Sequence, residues 1–277
     1  MNRTPRAHFL RRTGAAAALA AVPVLGLGLS PVANAQTAAF ASCDPGGSDP
    51  IWDGVKPPLH TPTNKIHNFD IQWPNHDSTR GWAVHPGKDM KTTTDLLVVP
   101  TVREAGIECD NLLRADAPHY FKHAYDEVSL MGGSDWALAI NSQDGRTRNQ
   151  FHIHLTRLYG PARDDIDRAA KAGKLAKTEQ TWLNSTIDVT GHDMHGNNTK
   201  HTYRAWNADG VDYNFFAKLN DDIVKPLQKQ GKSAAGMAHE SLLITLNRQG
   251  NGIVVMESNR NTGIHGVDNM EPLLNKG

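Results

Sequence analysis

The chain has 277 residues, with 29 lysines and arginines against 29 aspartates and glutamates, 14 histidines and two cysteines. A formal net charge of zero with no basic block argues against a nucleic-acid partner, because a polyanion needs a basic surface. The length supports one sizeable core, or one core with an elaboration, and there is neither an internal repeat nor a second hydrophobic span.

Residues 1–35 read as an export signal. Arg3, Arg6, Arg11 and Arg12 precede an apolar run from Ala15 to Leu29, and Ala33-Asn34-Ala35 fits the small-x-small cleavage rule. The run, about 15 residues, is short for a membrane span. The Arg11-Arg12 pair suggests the twin-arginine route. An uncleaved anchor is the alternative, so the expected location is beyond the plasma membrane or attached to its outer face. Without those four arginines, 25 of the 29 basic residues remain against 29 acidic ones, a mildly acidic balance. Cys43 and Cys109 both survive processing. In an exported chain they form one disulfide or stay separate thiols.

Residues 36–80 are rich in Pro, Gly, Asp, Asn and His and read as arm and loop. His60, His67, His76 and His85 read as solvated. Gly81–Val84 and Asp95–Thr101 read as strands, the second a continuous apolar run suited to a sheet interior and ending at Pro100. Asp116 is positioned to cap a helix in which Tyr120, Ala124, Val128 and Met131 recur at helical spacing until Gly132-Gly133. His119 and His123 share a face of that helix at i, i+4, and a solvated face is the simpler reading than a metal pair. Asp164–Ala176 reads as a short helix, and Gln180–Val189 is ambiguous. Gly191–His201 reads as a loop whose His192, Asp193, His195 and His201 are candidate metal ligands with no established spacing. Phe215, Leu219, Ile223 and Leu227 predict a helix over Tyr213–Lys225, kinked or ended by Pro226. Ser241–Asn247 and Gly252–Glu257 read as a hairpin. The polar stretch 262–277 reads as a loose tail.

The most informative stretch is Trp136–Leu158. Trp136–Ile140 reads as a buried strand and Ser142–Gly145 as a turn. Asn149–Leu158 then alternates, with Phe151, Ile153 and Leu155 on one face and Gln150, His152, His154 and Thr156 on the other. The polar face presents two imidazoles roughly 7 Å apart along the strand. Neutral imidazole is the best nitrogen nucleophile near neutral pH, and Arg146 and Arg148 stand just before it as oxyanion partners. The set Asn141, Arg146, Arg148, His152 and His154 points to attack on an anionic phosphorus centre.

The segment Ile140–Thr156, INSQDGRTRNQFHIHLT, resembles the catalytic segment of the CDP-diacylglycerol pyrophosphatases, a branch of the histidine triad-like superfamily. Leu96–Arg103, Gly106-Ile107-Glu108, Gly191-His192 and Glu257–Asn261 are similar too, so the resemblance spans about Gly81 to Asn261. Aligned on the superfamily's His-x-His-x-His, His152 matches the middle, nucleophilic histidine and His154 the last, while Gln150 stands in the first histidine's place. The resemblance implies an α+β, histidine triad-like fold, with an antiparallel sheet, flanking helices and a C-terminal α/β elaboration. It implies a catalytic domain over 81–261. The implied reaction is hydrolysis of CDP-diacylglycerol to CMP and phosphatidate through a nucleotidyl-histidine, with peripheral membrane contact and neither metal nor other cofactor. His152 and His154 would be catalytic. Asn141, Arg146, Arg148, Gln150 and His192 would bind substrate and phosphate, His192 from the rim.

Two other readings stand beside it. His154-Leu155-Thr156 and His239-Glu240-Ser241 fit the His-x-Ser/Thr pattern of two-histidine phosphodiesterases, in which both histidines act as acid and base. An exported lipid- or metal-binding protein without turnover would account for the histidine-rich loops.

Overall fold

The computed structural model describes residues 43–56, 71–72, 77–87 and 94–276. Residues 1–35, expected to be an export signal, lie outside them, as do His60, His67 and His76. One antiparallel sheet organises everything else. In chain order its strands are β1 (Ile71–Gln72), β2 (Trp82–Pro86), β3 (Asp95–Pro100), β4 (Trp136–Ile140), β5 (Ile153–Leu158), β6 (Thr186–His192), β7 (Asn198–Ala208), β8 (Ser241–Leu246), β9 (Ile253–Ser258) and β10 (Leu274–Asn275). In space nine of them run β1-β2-β3-β5-β4-β8-β9-β7-β6, and β10 pairs with β5 beyond the end of β3. The C-terminal half therefore extends the same sheet and makes no separate elaboration.

Each face of the sheet is read directly from register. Leu96, Leu155, Leu138, Ile244, Val255 and Trp206 line up across six strands, a wholly apolar row on one face. That face carries the larger core, in which Phe121, Phe151, Phe215, Phe216, Trp182 and Trp206 are fully buried. Helices α2 (Tyr120–Asp126) and α4 (Glu179–Trp182) and a long helix formed by α5 (Phe215–Leu219), a π-type turn (Asn220–Val224) and α6 (Lys225–Lys229) cover it. Burying aromatics contributes roughly 25 cal/mol per Å² of apolar surface removed from water, the main stabilising term here.

The opposite face is divided. Helix α1 (Pro50–Val55) seals Ala83, Leu97 and Val99 with Ile51 and Val55. Helix α3 (Gly160–Lys171) and the segment 267–274 seal Ala137, Ala139, Leu243, Val254, Met256, Tyr203 and Ala205. Between Leu97 of the first patch and Ala139 of the second, the register places His154. The gap between two apolar patches is where the polar site opens.

Several expectations need correction. Asp116 does not cap α2; its carboxylate pairs with Arg80 at 2.6 Å and Arg114 at 2.8 Å, and the helix begins at His119 without a side-chain cap. Pro226 neither ends nor breaks the long helix, because a π-type turn precedes it and it falls in the first turn of α6, where a missing N–H is tolerated. Gly191–His201 is the end of β6, a tight turn and the start of β7. The supposed loose tail is packed, with Met270, Leu273 and Leu274 at most 1 % exposed. Cys43 and Cys109 form a disulfide. Among the described residues no helix is long and apolar enough to cross a membrane.

Candidate active site

The two histidines are placed by different devices. His152 precedes β5, so no sheet ladder holds it; the loop before it is pinned from the other side. Asn149 N–H donates to Asp49 Oδ2 at 3.0 Å, and the same buried carboxylate caps α1 through Ile51 N–H at 2.9 Å. Arg103 Nη1 donates to Gln150 Oε1 at 2.9 Å, Gln150 Nε2 donates to Val102 O at 3.2 Å, and Phe151 N–H donates to Glu104 O at 2.7 Å. So held, the backbone carbonyl of Gln150 accepts from His152 Nδ1 at 2.7 Å. A carbonyl can only accept, so Nδ1 carries the hydrogen and Nε2 keeps its lone pair. Burial, then the neighbouring His154, push the His152 pKa down to about 4, against the opposing pull of the Gln150 carbonyl and Glu271. The ring is thus a neutral, partly exposed base with a free Nε2.

His154 sits on β5 proper, its ring centroid 5.0 Å from that of His152 with the planes at 79°. Its Nδ1 lies 3.3 Å from Asp95 Oδ1, and its Nε2 lies 3.6 Å from Glu271 Oε1. Asp95 arrives because it pairs with Thr156, and Glu271 because the C-terminal segment runs back over the sheet to β10. Lys276 Nζ closes the group, 2.9 Å from Glu271 Oε2 and 3.9 Å from Asp95 Oδ2. Burial opposes ionisation of Glu271, but His154, Lys276 and Asn141 together hold its pKa below the ordinary value.

A small recess against His152 is lined by Gly106, Ile140, Asn141, Arg146, Gln150 and Phe151. Arg146 lies in it, yet its two terminal nitrogens each meet a Glu108 oxygen at 2.5 Å. Gly106 leaves room for that pair, since a Cβ there would meet both the guanidinium and the carboxylate and make their ends shift. Asn141 is buried, with Oδ1 accepting from Met270 N–H at 2.9 Å and Nδ2 donating to Glu271 at 3.1 Å. Gln150 also reaches the recess, but its amide is engaged by Arg103 and Val102, so its backbone rather than its side chain orients His152. Arg148 is exposed on the turn, without an ion pair among the described residues.

His192 does not touch either histidine. It lines an adjoining open groove with Tyr159, Met194, Pro272, Glu271 and Lys276, and Glu271 connects that groove to His154. His239 pairs with Asp144 at 2.6 Å on an exposed turn, not with His154. The carboxylate of Asp193 is occupied by the N–H groups of His195 and Asn197, and His201 packs against His265 with the rings tilted by 32°. Among the described residues no three His, Cys, Asp or Glu side chains converge as a metal-binding group.

Sequence reasoning missed Asp95, Arg103, Glu271 and Lys276. A carboxylate opening an otherwise apolar strand, and an arginine closing the run Leu96–Arg103, were signals for the first two. Nothing in the polar tail marks Glu271 or Lys276, whose positions depend on the β10–β5 pairing.

A family model described as CDP-diacylglycerol pyrophosphatase matches residues 48–276, taking in the pinned loop, both histidines and the C-terminal segment. A CDP-diacylglycerol pyrophosphatase of Yersinia pestis is 35 % identical over 114 residues, covering 38 % of this chain and 42 % of that protein. The aligned part is thus less than half of the relative's length. With a family model matched over most of its length, the chain belongs to the CDP-diacylglycerol pyrophosphatase family.

Proposed function

We propose that the protein hydrolyses the pyrophosphate bond of CDP-diacylglycerol to CMP and phosphatidate, and that His152 is the nucleophile. The observation that carries this reading is the His152 ring itself, with Nδ1–H held by a main-chain carbonyl and an unprotonated Nε2 beside a small polar recess. In the first step Nε2 forms a bond to the phosphorus bearing cytidine while the bond from that phosphorus to the bridging oxygen breaks. Phosphatidate departs with that oxygen. Water then attacks the cytidylyl–histidine, releasing CMP and restoring the imidazole. Splitting one displacement into two easier ones is the usual gain of covalent catalysis. His154, between two carboxylates, is suited to donate a hydrogen bond to the departing oxygen. Arg148, and Arg146 from its Glu108 clamp, supply positive charge near the equatorial oxygens. Two histidines on and just before a central strand are consistent with a histidine triad-like fold.

The setting follows from the substrate. A lipid pyrophosphate is met at a membrane surface, and Met194, 93 % exposed at the β6–β7 turn beside the groove, is suited to peripheral contact. We place the protein beyond the plasma membrane or at its outer face, on the basis of the twin-arginine-like residues 1–35. The test is acid-quench labelling with CDP-diacylglycerol radiolabelled at the cytidylyl phosphorus. Label should stay on the wild-type protein and be absent from His152→Ala. An alanine variant that turns over as fast as the parent overturns the assignment.

A further inference from the structure

Glu271 occupies an unusual place for a carboxylate in an enzyme of phosphate esters. It accepts from Asn141 Nδ2 at 3.1 Å, meets Lys276 Nζ at 2.9 Å and stands 3.6 Å from His154 Nε2. An amide, an ammonium and an imidazole nitrogen converging on one anion form the donor set that a phosphate oxyanion takes. The backbone here is fixed. Glu271 N–H donates to Asn269 Oδ1 at 2.7 Å, Met270 N–H donates to Asn141 Oδ1 at 2.9 Å, and Leu273 and Leu274 are buried. The side chain alone is left to move. It is 41 % exposed and borders the open groove with Tyr159, His192 and Pro272, which gives it somewhere to go.

We propose that Asn141, His154 and Lys276 form a phosphate subsite which Glu271 fills in the unliganded protein, and that this subsite receives the phosphate monoester of the departing lipid. Glu271 swings into the groove to admit it. The assignment rests on the reaction proposed above. The lipid side is chosen because the groove that Glu271 borders is lined by Met194, Pro272 and Leu274, an apolar wall suited to a lipid, whereas the small recess against His152, which shares Asn141 with the subsite, is left to the cytidylyl phosphorus. The carboxylate and the phosphate compete for one donor-rich spot, so the protein's own anion lowers its affinity for the product and hastens release.

Calorimetric titration of the full chain with two products, CMP and a soluble short-chain phosphatidate, tests this. A closed state held about nine-tenths of the time weakens apparent affinity about tenfold, so Glu271→Gln should bind the phosphatidate about tenfold more tightly than the parent. CMP affinity should not change, and adding Lys276→Met should remove the gain. Unchanged or weaker phosphatidate binding in both Glu271→Gln and Glu271→Ala overturns the proposal, as does a gain that falls on CMP instead. Product binding needs no covalent intermediate, so the labelling experiment on His152 can fail while this one succeeds, and the reverse.

Discussion

A histidine whose pKa is pushed down to about 4 holds its proton only in acid. On the proposed mechanism this ring attacks phosphorus and must be neutral, so activity should survive the range in which an ordinary histidine protonates and fall only as the pH drops through about 4. The acid limb of kcat/KM for the free enzyme is the measurement. A limb near the ordinary histidine value of 6.5 would show that burial and His154 do not control this ring. This depression was not legible in the sequence. The alternation over Asn149–Leu158 correctly sets Phe151, Ile153 and Leu155 against the core and His154 and Thr156 on the other face, because strand periodicity is local. It extends the strand four residues too far back, to Asn149 instead of Ile153, and so treats His152 as a strand residue. Its true support comes from Gln150's carbonyl, and behind that from Arg103 and Glu104, 47 residues away for the Arg103–Gln150 bond. No pattern within the loop reveals such a partner.

At the scale of elements, the chain Val102–Glu104 acts as the anvil for the loop that carries His152. Replacing Arg103 by Ala removes the bond to Gln150 Oε1 and lets the His152 ring drift. Misplacement by about 1 Å can cost about 10²-fold in rate, so kcat should fall by up to that much with KM changed far less. Steady-state kinetics on Arg103→Ala decide it, and an equal loss in KM would mean that the arginine contacts substrate instead. Next to it, Glu104 is fully buried, and burial raises its carboxyl pKa to about 8. The folded state therefore binds a proton more tightly than the unfolded chain does. The stability this gives is complete below pH 4.5, the ordinary value, and is lost as the pH rises through about 8. Glu104→Gln, neutral throughout, should match the parent in acid and exceed it at pH 8 by up to about 5 kcal/mol. Urea unfolding at the two pH values measures the difference, and parallel pH curves would refute the buried-acid account. Strands buried on both faces were readable as continuous apolar runs: β3, β8 and β9 fall within a residue of their expected bounds. The β6–β7 hairpin was not, because it lies at the sheet's edge and its polar end, His192–His201, imitates a loop.

For the molecule as a whole, the decisive contacts are the ones that close long stretches of chain. β10 brings residues 271–276 back to β5, which is how Glu271 and Lys276 reach His154. The Cys43–Cys109 disulfide closes a separation of 66 residues at the opposite flank of the loop. Sequence could only leave that bridge open, since two cysteines fix a possible pairing but not the distance between them. Its position gives it a mechanical role as well as an entropic one. Cys43 O accepts from Ala105 N–H at 3.1 Å and Cys43 pairs with Glu104, so the bridge braces the strand segment that holds Gln150 and Phe151. Chain entropy sets its contribution to stability at about 4 kcal/mol for a loop of this size. Reduction, or the Cys43→Ser/Cys109→Ser pair, should lower the unfolding free energy by that order, and the urea midpoint with it, and reduce kcat before the protein unfolds, because the anvil loosens first. Unfolding midpoints and initial rates taken with and without reductant test both parts. A reduced protein with an unchanged midpoint would remove the entropic argument, whereas a lowered midpoint with unchanged kcat would detach the bridge from the geometry of His152.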